Sequence, residues 1–546
     1  MAGQTPDTRA QEILRRQEAF EGERGTWEQH WSEAARYVLP RADLFQGRTR
    51  TPGEKRTEYQ FDATAPLSLD RFAAAMESLL IPRQSLWHTL RPADEALAED
   101  SQVLAWCEAA SRILFAARYA PRANFSAQAH ECFLSLGAFG TAVLFVDDDI
   151  GRGLRYMAVP LSSVWFAEDA AGRPDTVHYK FQLSTRQAHQ AYGDSLPEAI
   201  RKCLDKEPDR KWDFIQAAAP REDWDAGRRD FRGMAVGSYT IACEGKAIVR
   251  ERGFRTMPFC VSRYVTAARE KYGRSPAMTV LPDIKMVNEM SKAIIRAANF
   301  QTDPPLLMPE DGVLTGFQMK PGALNYGGVD DMGRQLVHPL QTGARTDIGE
   351  AMLEQRRKVI ADAFLVTLFQ ILIETPRMTA TEALIRAQEK GALLAPNIGR
   401  QQSELLGPMI TRELDILDAA GVLPPLPDAL AEAGGALTVI YDSPLSRLAR
   451  AEEGVAIMRT LEAVTPWAQM DPTVMDAFDP EAAVRALASV NGAPQKILRT
   501  PEAIAALKEG RAQQQQAAAL LEAAPVASGV AKDIAALQGQ AGQAPF

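Results

Sequence analysis

A long helix that ends on two prolines, a stretch dense in glycine and proline, and a second helix running back constrain this chain more than any other feature. Ser275 fits an N-cap and Pro276 fits the first helical position, where its missing N–H costs nothing. Ile284, Val287, Met290, Ile294 and Ala298 then recur at steps of three and four, which is one helical stripe. Pro282 falls within the span and predicts a break or kink in the first turns. Over 276–302 the rod would be about 40 Å long at ~1.5 Å per residue. Asp303-Pro304-Pro305 stops it, because a residue before proline is driven out of the α region.

Residues 303–343 hold seven glycines and five prolines. That density excludes regular helix and predicts short strands joined by turns. The return helix starts near Thr346, with Asp347 and Glu350 in the first turn, where the helix dipole favours acids. Its apolar positions are Ile348, Met352, Val359, Ala363 and Val366, and it carries the basic run Arg356-Arg357-Lys358. The ordinary meaning of such a run is a solvated helix face; the alternative is a basic surface turned toward a partner or nucleic acid. A helix out, a small module and a helix back form a stalk with a knob, a shape suited to assembly rather than to closing an active-site cleft.

The rest of the chain reads as mixed helix and strand. Helices are predicted over 8–39, 61–81, 98–119 and 123–136. The texture changes at Gly137. Thr141–Val146 and Leu154–Val159 flank Asp147-Asp-Asp-Ile-Gly-Arg-Gly153, a hairpin signature. Strands continue at 164–166 and 177–181, a helix at 185–206, and strands at 237–242, 247–250 and 259–264, so that about 137–265 forms an α+β block. A break at 370–378 precedes a long helical stretch over 379–420, with kinks expected at Gly391, Pro396 and Gly399. A short strand at 439–441 and helices over 447–510 follow. The tail beyond 511 is too polar and small to offset its ordering entropy.

With 546 residues, 46% of them hydrophobic, the chain can build two to four domain-sized units. A formal charge of −9 argues against a generic basic coat for nucleic acid. Cys107, Cys132, Cys203, Cys243 and Cys260 form no C-x-x-C pair and suggest reduced thiols; the six histidines show no metal-ligand spacing with them. No secretory leader or transmembrane run is expected. Asp147–Asp149 could open a calcium loop, but its twelfth position is Ala158 rather than a bidentate Glu, so a solvated turn is the better reading. Gly273-Arg-Ser275-Pro-Ala277 looks like a nucleophile elbow. The residue after its serine, however, is Pro276, which has no N–H to offer an oxyanion. There is no phosphate-binding loop and no H-E-x-x-H. The tryptophans Trp87, Trp106, Trp165, Trp224 and Trp467 are scattered and form no basic-aromatic platform. A non-enzymatic chain without metal or cofactor is expected. A nuclease built on carboxylates such as Asp330-Asp331 and a scaffold that never surrounds DNA are the competing readings.

Several separated segments carry a family likeness. They are Asp62-Ala-Thr-Ala65, Leu79-Leu-Ile-Pro82, Trp87-His-Thr-Leu90, Gly137-Ala-Phe-Gly-Thr-Ala142 and Tyr272-Gly-Arg-Ser-Pro-Ala277 with Leu281-Pro-Asp-Ile-Lys285. Pro304-Pro305, Thr379-Ala-Thr-Glu382, Leu406-Gly-Pro408 with Arg412, and Ser443-Pro-Leu445 complete the set. In order and spacing the chain resembles, over roughly residues 10–500, the portal or head-to-tail connector proteins of short-tailed double-stranded DNA bacteriophages. The resemblance implies a mainly helical α+β portal fold. Its parts would be a wing over 1–275, stem helices over 276–302 and 346–367, a clip over 303–345 and a tunnel loop over 368–378. A long wing helix and return strand would span 379–446, a helical crown 447–510 and a flexible tail 511–546.

It further implies a homo-oligomeric ring of about twelve copies at one capsid vertex, made in the host cytoplasm and built into the virion. Double-stranded DNA would pass along its axis. Its partners would be the terminase motor, the major capsid and scaffolding proteins and a tail adaptor protein, with no membrane. The clip would dock motor and tail through Leu306, Met308, Phe317, Tyr326 and Arg334. The acidic total suits a wall along which DNA slides, because phosphate neutralisation supplies most DNA affinity. Lys285, Lys292, Arg296, Arg356, Arg357, Lys358 and Arg377 are the candidate basic contacts in the channel. For each of them taken singly, a surface or intersubunit ion pair is the ordinary alternative.

Overall fold

The computed structural model describes residues 6–45, 53–307 apart from 99, 150–152 and 226, then 318, 320, 322–324, 326, 328–340, 346–366, 395–442 and short stretches between 456 and 514. In chain order, α1 (Pro6–Val38), α2 (Thr64–Leu80), β1 (His88–Pro92), α3 (Ser101–Arg118) and α4 (Phe125–Phe139) come first. Strands β2 (Thr141–Asp149), β3 (Gly153–Val159), β4 (Val164–Glu168) and β5 (Pro174–Ser184) precede the short helices α5 (Thr185–Tyr192) and α6 (Glu198–Arg201). Then come β6 (Lys211–Pro220), β7 (Val236–Ala242), β8 (Ala247–Phe254) and β9 (Phe259–Arg263). They are followed by α7 (Pro276–Thr279), α8 (Leu281–Thr302), β10 (Leu306–Leu307), β11 (His338–Pro339) and α9 (Thr346–Ala363). A π-helical turn over Gln402–Leu406 runs into α10 (Gly407–Ala419), and α11 (Asp428–Glu432) and β12 (Leu437–Tyr441) close the series.

Two compact units divide the chain: residues 1–88, 111–424 and 441–445, and residues 89–110, 425–440 and 446–546. In the second, β1 and β12 make a two-stranded sheet and Leu430 of α11 is buried. Among the described residues the first holds antiparallel sheets ordered β3-β2-β9 and β4-β5-β6-β7-β8, and the two-stranded β10-β11. The five-stranded one is a meander, each strand pairing with the next in sequence, and α1 packs against its β4 and β8. Ala188 of α5, Ile200 of α6 and Leu196 between them are buried against Trp212, Phe214, Ala242 and Val249.

Three departures from the sequence reading have local causes. Strand β6 was not anticipated, because Ala217-Ala-Ala219 lacks β propensity; it forms since β5 and β7 pair with it on both sides. The turn expected over 147–153 shrinks, and pairing continues to Asp149↔Gly153. Asp147 is no solvated turn residue: Arg252 of β8 holds it at 2.7 Å. The helix expected over 185–206 breaks after Tyr192, where Gly193 takes a φ of +54° and Pro197 follows.

Two segments that the sequence singled out meet in space. At the α4–β2 junction Gly140 has a φ of +76°, and its carbonyl accepts from the Tyr264 N–H. A Cβ on Gly140 would lie 2.4 Å from the Gly273 carbonyl oxygen, and a Cβ on Gly273 would lie 2.1 Å from that of Gly140. The Gly273 N–H donates to Thr141 Oγ1, and Ser275 Oγ donates to the Ala138 carbonyl while accepting from the Met278 N–H. Tyr272 beside them packs edge-on to Trp31 and Phe166, and Trp31 Nε1 donates to the Phe139 carbonyl.

Buried arginines tie remote segments together. Arg118 and Glu413, both fully buried, form an ion pair at 2.5 Å between α3 and α10, and Tyr156 donates its hydroxyl to the same carboxylate. Arg24 of α1 donates to the carbonyls of Leu161, Ser162 and Val164 and stacks on Trp165. Arg263 holds Glu404 and Glu168. His88 and His178 are buried as well. Desolvation, then the Arg118 charge, pushes His88 down to about 2; desolvation, then Arg16, pushes His178 down to about 3.

Two outcomes follow for the isolated chain. Gly273→Ala should lower stability by about 2–4 kcal/mol in denaturant titrations, since backbone faces the new methyl and cannot yield cheaply. Both histidines stay neutral in the folded state while unfolded histidine binds a proton below about pH 6.5, so stability is lost as pH falls below that value. His88→Asn should reduce proton uptake on unfolding at pH 5 by one proton, about 1.4 kcal/mol per pH unit of slope.

Candidate functional site: the helical hairpin

The hairpin starts where Ser275 caps α7 with Pro276 in its first turn. Val280 interrupts the helix, because Pro282 enters the next first turn, and α8 then runs unbroken to Thr302. Asp303 ends it through its N–H bond to the Asn299 carbonyl, and Pro304-Pro305 carries the chain into β10. There Leu306 faces Pro339 and Leu307 faces His338 across an antiparallel pair, extended by Leu340 N–H to the Pro305 carbonyl. Helix α9 returns alongside α8, close enough that a Cβ on Gly349 would sit 3.3 Å from Ile294 Cδ1.

Burial along this pair is graded. Leu281, Ile284, Val287, Asn288 and Ser291 are buried, and beyond Ser291 no residue of α8 is. On α9 the buried positions include Leu353 and Ile360, with Phe364 and Val366 just after it. Toward the tip, Ile295, Phe300 and Leu307 are exposed, and Met352 of α9 is exposed beside buried Leu353. The hairpin is rooted at one end and bare at the other.

The basic candidates separate into groups. Lys285 pairs with Glu33 at 2.5 Å, and that bond raises its pKa. Arg356 pairs with Asp283 at 2.8 Å, and Arg357 with Asp62 at 2.6 Å. Lys292 lies 3.6 Å from Glu289 and over the Phe61 ring. Arg296 and Lys358 are exposed and make no ion pair among the described residues. Arg377 lies outside the described residues.

Of the tip candidates, Leu306 is half-buried in the strand pair and Tyr326 is 85% exposed, while Met308 and Phe317 lie outside the described residues. Arg334 projects from a tight turn that Asp330 organises. The Asp330 carboxylate accepts from the N–H groups of Met332 and Arg334 and from Arg334 Nε. Those bonds, the backbone ones first, hold its pKa below the usual carboxylate range. That accounts for Asp330 structurally, without the nuclease reading of Asp330-Asp331.

Sequence reasoning missed what holds the root. Residues 56–62 form a strap between α1 and α2. Asn288 of α8 accepts from the Phe61 N–H and donates to the Tyr59 carbonyl, both at 2.7 Å. Asp62 accepts from the Thr64 N–H and from Arg357. Burial pushes the Asp62 carboxyl up, but the Thr64 and Arg357 bonds outweigh it and set it below the usual range. The one available signal was the Asp62-Ala-Thr-Ala65 segment, noted for family likeness rather than for its bonds.

Comparison with known proteins matches the chain along most of its length. The sequence model of the family described as "Bacteriophage head to tail connecting protein" matches residues 10–498. The chain is 28% identical over 522 residues to a protein of Bordetella phage BPP-1 named "Probable portal protein", covering 93% of this chain and 92% of that one. It is 24% identical over 546 residues to the "Portal protein" of Salmonella phage epsilon15, covering 97% and 96%. A solved structure described as "Neck of native GTA particle computed with C12 symmetry" aligns with 73% of this chain and 87% of its own, at 13% identity and a TM-score of 0.36.

Arg357→Ala should cost about 1–2 kcal/mol, because the Asp62 side chain is only 6% exposed and loses its charged donor. Lys285→Ala, at a half-exposed pair, should cost under about 1 kcal/mol. The Asp62 contribution is present above the unfolded carboxylate pKa and is lost as pH falls through the lower folded one. Thermal melts between pH 6 and pH 3 should therefore converge for wild type and Arg357→Ala at the acid end.

Proposed function

Because the chain belongs to the family of bacteriophage head to tail connecting proteins, we infer that it is the portal protein of its virion. It sits at one capsid vertex and joins head to tail. Copies assemble into a closed ring, about twelve in number by family likeness. DNA enters and leaves through the axis, driven inward by a terminase motor. The stem corresponds to 276–302 and 346–367, the clip to 303–345, the wing to the segments before 276 and the crown to the helices after 447. The chain is a conduit and docking surface, not an enzyme.

The observation that carries this reading is the graded burial of the hairpin. A helix pair with exposed Ile295 and Phe300 along its bare end, and Met352 near its middle, leaves apolar surface in water unless neighbours cover it. A ring of identical hairpins would cover it from both sides. The same packing would leave Arg296 and Lys358, which make no ion pair among the described residues, on surfaces that DNA can reach. They sit in a chain whose formal charge is −9, so a few basic contacts act against a repulsive wall and DNA binding stays weak enough for sliding. Tyr326, Arg334 and Leu306 at the clip, with Met308 and Phe317, form the proposed contact with motor and tail adaptor.

Electron microscopy and native mass measurement of assembled particles test the inference, with rings around an open channel as the expected outcome. Compact particles without a hole would refute it. In virions, Arg296→Glu with Lys358→Glu should change packaging in a salt-dependent way while rings still form. Arg377→Glu tests the tunnel-loop assignment in the same assay, and normal packaging would remove Arg377 from the channel.

A further inference from the structure

We propose that the strap formed by residues 56–62 is a clasp that fixes both helices of the hairpin to the body of the chain, and that Asn288 and Arg357 are the positioning residues that close it. The strap touches four helices. On the body side, Gln60 Nε2 donates to the Tyr37 carbonyl of α1, Arg36 lies 5.4 Å from the Tyr59 ring, and Arg56 donates to the Arg41 carbonyl. Asp62 caps the start of α2 through Thr64. On the hairpin side, Asn288 of α8 makes its two bonds to strap backbone, and Arg357 of α9 makes its two to Asp62.

The chemistry of each contact fits a latch. Asn288 is buried, so a side chain placed mid-helix uses its acceptor and its donor on one strap, reading an N–H and a C=O two residues apart. An apolar residue there would leave both backbone groups without their partner. Asp62 offers one carboxylate oxygen to α2 and the other to α9. It thereby couples the return helix to the body at the level where Asn288 couples the outgoing one. These contacts meet α8 at the end of its buried positions, where packing alone ceases to hold the hairpin. The consequence for the conduit, which rests on the portal reading above, is that the strap, beside the glycine crossing at the first turn, couples movement of the body to both stem helices.

Hydrogen exchange on the full chain tests the clasp. Asn288→Leu should speed exchange of amides in 286–302 by about tenfold, the worth of the lost bonds, with β5, β6 and β7 unchanged. Arg357→Gln should do the same for 350–360, and Arg357→Lys should restore most of the protection. The double substitution should add little to either single one, because one opening already frees the strap. Unchanged exchange in the hairpin, a uniform rise across the chain, or full additivity would each overturn the clasp. If Asn288→Leu does not fold, the Arg357 pair of variants decides alone. In virions, clasp variants should form rings and yield fewer DNA-filled heads; normal filling with a loosened hairpin would overturn the link to packaging. A wild-type chain that forms no ring would instead defeat the portal reading, leaving the exchange result standing.

Discussion

The backbone contact between Gly140 and Gly273 is the constraint on which the rest of the first unit turns. Two chain segments cross with no room for a Cβ on either, and Gly140 sits at a φ that L side chains rarely adopt. The crossing lets Thr141 receive the Gly273 N–H and lets Ser275 reach the Ala138 carbonyl. The first turn of the outgoing helix is thus set by the end of α4, not by a flexible linker. A hairpin rooted this way leaves the body in one direction, which a repeated assembly needs if every copy is to meet its neighbours alike.

Charge inside the body does different work from charge on its surface. Arg24, Arg118 and Arg263 bind carbonyls and carboxylates from segments more than ninety residues away, and Arg24 and Arg118 also lie over Trp165 and Trp87. Breaking such a pair strands a charge where water cannot reach it, so each acts as a rivet between segments. On the hairpin, Lys285, Arg356 and Arg357 are paired with Glu33, Asp283 and Asp62, but their own side chains are 45%, 42% and 41% exposed, so water weakens these pairs. What remains for a ligand is a small remainder, Arg296 and Lys358 among the described hairpin residues, in a chain with excess acid.

Much of the hairpin was legible in sequence because its determinants are local. Ser275 and Pro276 start a helix, Pro282 interrupts it and Asp303-Pro304 ends it, whatever the rest of the molecule does. The partners of the cations were not legible. Asp283 is 73 residues from Arg356 and Asp62 is 295 from Arg357, so a basic run looks free until the fold supplies its acids. The second half of strand β6 was hidden for a related reason: its alanines carry no preference, and the flanking strands extend the strand that Trp212, Phe214 and Ile215 begin. The hairpin turn at 147–153 was placed early because Asp147 looks like a turn residue until Arg252 is brought beside it. Asn288 gave no signal at all, since one Asn on a helix is ordinarily a solvated side chain.

Local caps and remote latches together explain why the hairpin can be both long and aimed. An isolated two-helix rod has no fixed angle to its body, because caps determine length and not direction. The glycine crossing orients the first turn, and the strap adds a contact to each helix farther along. The bare end needs the reverse: its apolar residues must stay uncommitted within the chain if copies are to supply the missing surface to one another. Had Ile295 and Phe300 been covered within the chain, that end of the hairpin would offer a neighbour little apolar surface. Their exposure, set against a root held by ion pairs and a glycine crossing, leaves the uncovered apolar surface of the hairpin at the end away from the body.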